Sequence, residues 1–169
     1  MPRTLTIRTT GRDDFDAVDR LLSQSYPALL KRDYAPSVVV TALPRISRAN
    51  PKLLRSGRYY LIEDEHAQVV GAGGWSRAGP VGGAPRAGLG HIRHVVTDHR
   101  RIRQGIGRAL MRHTLDAARQ AGVRRLDCLS TLTAVPFYRA LGFSAAGAVE
   151  LSLAPGIRFP AVQMHLDLR

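Results

Sequence analysis

The sequence predicts a mixed α/β fold of six to seven strands and about four helices. Three observations predict it. The spacing of apolar residues switches repeatedly between alternation and the three-four step of a helix, so strands and helices interleave. The chain has 169 residues, 44% of them apolar and 22% charged, which suits one real core and no second one. Residues 1–169 therefore read as a single domain, and no internal repeat divides them.

Taken in order, Leu5 and Ile7 alternate with polar neighbours as a first strand. Gly11-Arg12-Asp13-Asp14 breaks it and opens a helix whose apolar stripe is Phe15, Val18 and Leu22. Val39, Leu43 and Ile46 repeat that spacing in a second helix, which Pro44 must kink or shorten. Arg58 to Ile62 reads as a strand, Asp64-Glu65-His66 as a turn, and Ala67 to Val70 as the antiparallel partner. Gly71 to Gly90 holds eight glycines with Pro80 and Pro85, and so much backbone entropy predicts a mobile connection between strands. His91 to Val96 returns to a strand, Gly105 to Gln120 to a long helix, and Arg125 to Leu129 to a strand. A short helix over Ala134 to Leu141 precedes two closing strands, Ala148 to Leu153 and Val162 to Leu168.

Charge is the unusual feature of the composition. Lys plus Arg is 25 against 13 Asp plus Glu, and only Lys31 and Lys52 are lysines, which leaves 23 arginines. Their planar forks favour phosphate or carboxylate, so a negatively charged partner is expected. The arginines are scattered from Arg3 to Arg169, with no basic run longer than two and no stacking pattern among ten aromatic residues. That scatter argues against a nucleic-acid groove. Cys128 is the single cysteine, which excludes an internal disulfide and a paired-thiol metal or redox site. No apolar run reaches the roughly 18 residues of a membrane span. The N-terminus, Met1 to Arg8, lacks the apolar stretch of a secretory signal. A cytoplasmic protein without membrane association and without a metal is the expectation.

The most informative segment runs from His94 to Leu110 as strand, basic loop and glycine-bearing helix start. Such an order suits a pyrophosphate: Gly105 and Gly107 let the backbone approach, helix N–H groups point outward, and the macrodipole adds positive charge. Arg103 and Arg108 can close from the side. A P-loop would need Lys-Ser/Thr after Gly107, where Arg108-Ala109 stands, and a dinucleotide fingerprint would need a small residue at Leu110.

With Phe137-Tyr138-Arg139-Ala140-Leu141-Gly142-Phe143 downstream, the chain resembles the GNAT superfamily of acetyl-CoA-dependent N-acetyltransferases. The resemblance covers most of the chain and is strongest from His91 to Phe143. It implies the GNAT acyltransferase fold, a twisted, mostly antiparallel sheet of six to seven strands flanked by about four helices and splayed at its central strands, with acetyl-CoA as cosubstrate and an amine as acceptor. It also implies backbone contacts of Val95, Val96 and Thr97 to the pantetheine arm, and a pyrophosphate cradle of Arg103, Gln104, Gly105, Ile106, Gly107 and Arg108. Thr131 stands where the family often has a cofactor-holding asparagine, Ile102 where it has Arg or Gln, and His99 where proline is common. Arg101 is the neighbour that would replace the side chain missing at Ile102, and Arg100 lies beside it.

Amine acetylation needs a base, an oxyanion donor and an acid. Tyr138 falls where the family places a tyrosine near the thioester sulfur, which makes it the candidate acid. His91, fourteen residues before Gly105, matches the offset of a glutamate base in one branch of the family; the other reading is a strand histidine facing solvent. Asp127 is a second candidate base. Strand alternation sends His94 to the opposite face, and Cys128 reads as core filler. Trp75, Tyr59 and Tyr60 either line an acceptor pocket or complete a hydrophobic face, and Arg158-Phe159-Pro160-Ala161 belongs to the hairpin that shapes the acceptor pocket in this family. The function implied is acetyl transfer to a primary amine in a ternary complex. The rivals are a catalytically silent CoA-binding fold and a basic nucleic-acid-binding module. Acceptor identity and homodimerisation stay open.

Overall fold

The computed structural model describes residues 4–169; Met1 to Arg3 of the N-terminal segment discussed above lie outside the described residues. Seven strands form one sheet in the order β1-β2-β3-β4-β5-β7-β6. They are β1 (Thr6–Thr9), β2 (Tyr59–Glu63), β3 (Val69–Ser76), β4 (Leu89–Thr97), β5 (Arg125–Thr131), β6 (Ser144–Ala154) and β7 (Ile157–Asp167). Every neighbouring pair is antiparallel except β4 and β5. The mostly antiparallel mixed sheet is thus the predicted one.

The first helix is as the stripe requires: α1 (Phe15–Leu30) buries Val18, Leu21, Leu22 and Tyr26. The second differs from expectation. It divides into α2 (Pro36–Thr41) and α3 (Leu43–Ile46), because Pro44 has no N–H with which to continue the α2 ladder and is instead accommodated in the first turn of a new helix. A further short helix, α4 (Pro51–Leu54), starts at Asn50, whose side chain accepts from the N–H groups of Lys52 and Leu53 at 3.0 and 3.3 Å.

The larger correction concerns the glycines. Gly71, Gly73 and Gly74 are not in a mobile connection but inside β3, which is buried from Val70 to Ser76. Their reason is close approach. A Cβ at Gly71 would lie 2.9 Å from Ile106 Cγ2, at Gly73 2.9 Å from Val95 Cγ2, and at Gly74 it would overlap the Arg58 carbonyl oxygen. Only residues 77–88 form the connection between β3 and β4.

The sheet separates two apolar layers. On one face α5 (Ile106–Gln120) packs Ile106, Leu110, Met111 and Leu115 against Tyr60, Ile62 and Trp75. On the other, α1 to α4 place Leu22, Tyr26, Leu43 and Leu54 against Tyr59, Leu61, Ala72 and Val96. α6 (Val135–Ala140) leads into the β6–β7 hairpin, whose strands are longer than expected. No helix among the described residues is long and apolar enough to cross a membrane.

Candidate functional site

β4 and β5 pair over only three residues, from Leu89 opposite Arg125 to His91 opposite Asp127, and then separate. Beyond that point β4 carries a bulge. Gly74 pairs with Arg93 and Ala72 with Val96, so Gly73 alone faces both His94 and Val95. His94 takes the strain with φ of 45°, so simple alternation does not assign its direction. Its Nδ1 is buried without a partner among the described residues, and burial, reinforced by Arg93, lowers its pKa to about 4, which keeps the ring neutral.

Two hydroxyls stabilise the bulge. Tyr59 donates to the His94 carbonyl at 2.8 Å and Tyr26 to the Val95 carbonyl at 3.0 Å. The Asp98 N–H donates to the Val70 carbonyl at 2.9 Å; with that register, strand alternation turns the N–H groups of Val95 and Thr97 away from β3 and toward the gap. The Val96 side chain, by contrast, is buried in the layer under α1.

Tyr138 enters from the far side of the gap. Its ring is 5% exposed and lies edge-on to Phe137 and Phe143, at 5.2 and 5.3 Å between centroids. Its hydroxyl lies close to the Cys128 thiol of β5, and each affects the other's titration. Burial holds the phenol pKa well above 10, with the Cys128, Tyr26 and Tyr59 groups nearby acting in the same direction. Burial likewise pushes the thiol to about 12. Cys128 is therefore protonated core, as expected, but it is also the neighbour of the candidate acid. Sequence reading missed the roles of Tyr26 and Tyr59, because a bulge without a glycine leaves no local signal.

The basic loop opens the second half of the site. Asp98 accepts from the Arg100 N–H at 3.0 Å and starts a 3-10 turn over His99–Arg101. Arg103 and Gly105 take φ of 61° and 78°, which brings the chain round into α5. The first α5 bond is Ala109 N–H to the Gly105 carbonyl, so the N–H groups of Ile106, Gly107 and Arg108 stand at the open helix end. A Cβ at Gly105 would meet no atom within 4 Å, and backbone there is accessible to an anion. Gly107 has a different reason: its Cβ would lie 3.2 Å from the Phe137 ring, so it lets α5 pack on α6. The Ile106 side chain is buried, leaving its N–H as its available group. Arg103 and Arg108 are exposed, and Gln104 accepts from Arg101 Nε at 3.3 Å. Beside this loop a cavity of about 370 Å³ opens between Leu5, Arg101, Gln104 and Ile106.

The adjacent arginines are engaged elsewhere. Arg100 bonds Asp98 at 2.9 Å, and Arg101 bonds Asp64 at 2.6 Å in a largely covered pair. Arg101 is thus a tie between the β2–β3 turn and the loop, rather than a replacement for the side chain absent at Ile102. Arg101→Ala is expected to cost about 1–3 kcal/mol of stability by removing the cation from a covered carboxylate, which keeps only the His66 and Gln68 N–H groups; urea unfolding measures it.

His91 lies opposite Ser76 on β3 and Asp127 on β5. The 77–88 connection closes over it: a Cβ on Gly79 would sit 3.4 Å from His91 Cε1. Burial lowers its pKa below the ordinary 6.5, Asp127 opposing and Arg93 reinforcing the shift. A cavity of about 110 Å³ is lined here by residues that include Gly79, Gly82, His91, Asp127, Leu129 and Gln163. Asp127 is bound by Arg125 Nε at 3.0 Å. The Thr131 hydroxyl accepts from the Ala134 N–H at 3.2 Å, holding the turn into α6. Trp75 and Tyr60 lie in the α5 layer, while Phe159 stacks on Tyr34 at 4.7 Å.

Comparison with known proteins follows the same lines. Residues 55–145 match the sequence model of the acetyltransferase (GNAT) domain. A GCN5-related N-acetyltransferase from Rhodopseudomonas palustris superposes with a TM-score of 0.76 at 15% identity, covering 99% of each chain. The paia N-acetyltransferase from Thermoplasma acidophilum, solved in complex with coenzyme A, gives 0.69 at 10% identity over 98% of this chain and 99% of the other. The ribosomal-protein-S18-alanine N-acetyltransferase from Escherichia coli gives 0.64 at 18% identity over 97% and 94%. No curated protein is matched by sequence.

Proposed function

Because the chain belongs to the GNAT acetyltransferase family, we propose that it moves the acetyl group of acetyl-CoA directly onto a primary amine in a ternary complex. The observation that carries this reading is the gap between β4 and β5, with the Val95 and Thr97 N–H groups turned into it and the Tyr138 hydroxyl at its far side. Amide-bearing pantetheine fits such a gap as a strand partner would. Its pyrophosphate falls at the open end of α5, where Gly105, the N–H groups of Ile106, Gly107 and Arg108, and the Arg103 and Arg108 side chains meet it.

The chemistry follows from the groups present. His91, neutral at working pH, takes a proton from the ammonium, whose lone pair then forms the C–N bond. The Val95 N–H donates to the carbonyl oxygen as negative charge develops there. As the C–S bond breaks, the departing thiolate takes the Tyr138 proton, which the high phenol pKa keeps in place until then. Release of free thiol from acetyl-CoA, followed with a panel of amines, tests the reading. Release that requires both substrates is expected; CoA binding without release for any amine would reduce the protein to a CoA-binding fold.

The imidazole step has a pH signature. A neutral His91 is required, so kcat/KM is full above its pKa and falls as pH drops through a value below 6.5. In His91→Ala that acidic limb is lost and the rate falls by about a hundred-fold. An unaltered limb in the variant would assign the base to another group.

A further inference from the structure

Arg93 is two residues from His91 on the same face of β4, and it is half-buried. Its Nη1 donates to the Ser76 hydroxyl at 3.1 Å, and Ser76 stands directly opposite His91. Among the described residues it forms no ion pair. Arg101, also largely covered, holds Asp64 at 2.6 Å, whereas the carboxylate nearest His91, that of Asp127, is taken by Arg125 at 3.0 Å. A guanidinium withdrawn from water without an anion is costly, and proteins ordinarily pair it. Here the open partner position lies next to the proposed base.

We propose that Arg93 anchors a carboxylate on the acceptor, so that the enzyme acetylates amines that carry a carboxylate, free amino acids being the simplest. The guanidinium fork suits a carboxylate in two-point contact, with Ser76 orienting it from β3. Held there, the acceptor lies between His91 and Val95 along β4, at the edge of the gap. A cavity of about 110 Å³, lined by residues that include His91 and Asp127, lies beside the proposed base. This assignment rests on the transfer reading above and deepens it.

The test compares matched acceptors on the wild-type enzyme: alanine and glycine against their carboxamides, with thiol release as the readout. Expected is a kcat/KM for the amino acid about thirty-fold or more above its amide. Arg93→Gln removes that preference while acetyl-CoA affinity, measured by calorimetry, is unchanged. Arg93→Lys, with charge but no fork, keeps part of it. Equal use of acid and amide by the wild type would overturn the assignment without any variant having to fold. So would a folded Arg93→Gln enzyme that keeps the preference. Thiol release with simple alkylamines but no carboxylate preference leaves acetyl transfer standing and removes the Arg93 assignment alone. Bound acetyl-CoA with no release from any acceptor overturns both.

Discussion

Tyr138→Phe is expected to lower kcat by about a hundred-fold while acetyl-CoA affinity stays within about two-fold of wild type. The substitution is clean because the ring is held by Phe137 and Phe143, and phenylalanine keeps both contacts. What goes is the buried hydroxyl beside Cys128, at a cost of about 1 kcal/mol in stability. A group that only packed α6 against the sheet would show the small stability change and no change in turnover. Single-turnover rates of thiol formation, set beside calorimetric Kd values, separate the two outcomes. Unchanged turnover would remove Tyr138 as the proton donor.

Gly74→Ala is expected to produce the largest loss of stability, about 3 kcal/mol or more. The backbone at Gly74 lies outside the left-handed region, so conformational strain is not the cause. Overlap is: the added methyl would meet the Arg58 carbonyl and come within 2.7 Å of Tyr59 Cα. Backbone atoms cannot rotate away as a side chain can. Gly105→Ala is the complementary case, since its Cβ would enter open space but at φ of 78°; it should cost about 1 kcal/mol. Urea unfolding of both variants gives the comparison, and a Gly74→Ala protein as stable as wild type would show that β3 can move off β2.

These two residues also mark how far sequence reading reaches. Tyr138 was legible because it sits in a spaced motif, Phe137-Tyr138 followed by Gly142-Phe143, on a helix whose apolar neighbours are local. Gly74 was misread because the same residue serves opposite ends. In a loop, glycine supplies freedom; in β3 its missing Cβ lets β2 and α5 come close, and that requirement is set by elements far along the chain. The bulge at His94 was invisible for a related reason: it exists only as a mismatch of register between β3 and β4. Charge behaved in the same way. Arg100 and Arg101 adjoin the proposed phosphate loop in sequence, yet Asp98 and Asp64 hold them. Arg93, unremarkable in a basic chain, became informative once the structure gave it cover without a counter-ion among the described residues.

The three-residue contact between β4 and β5 has a thermodynamic consequence. Past His91 and Asp127 the sheet lacks the cross-strand ladder that would tie its two halves together, and that tie falls largely to the layers of side chains on either face. A molecule that enters the gap and bonds to the Val95 and Thr97 amides supplies the missing ladder, so its binding energy becomes cohesion of the fold. The melting temperature then depends on ligand concentration, with about 2.7 kcal/mol gained at a hundred times Kd. The protein is therefore least stable when empty, and its resistance to unfolding reports how full the seam is.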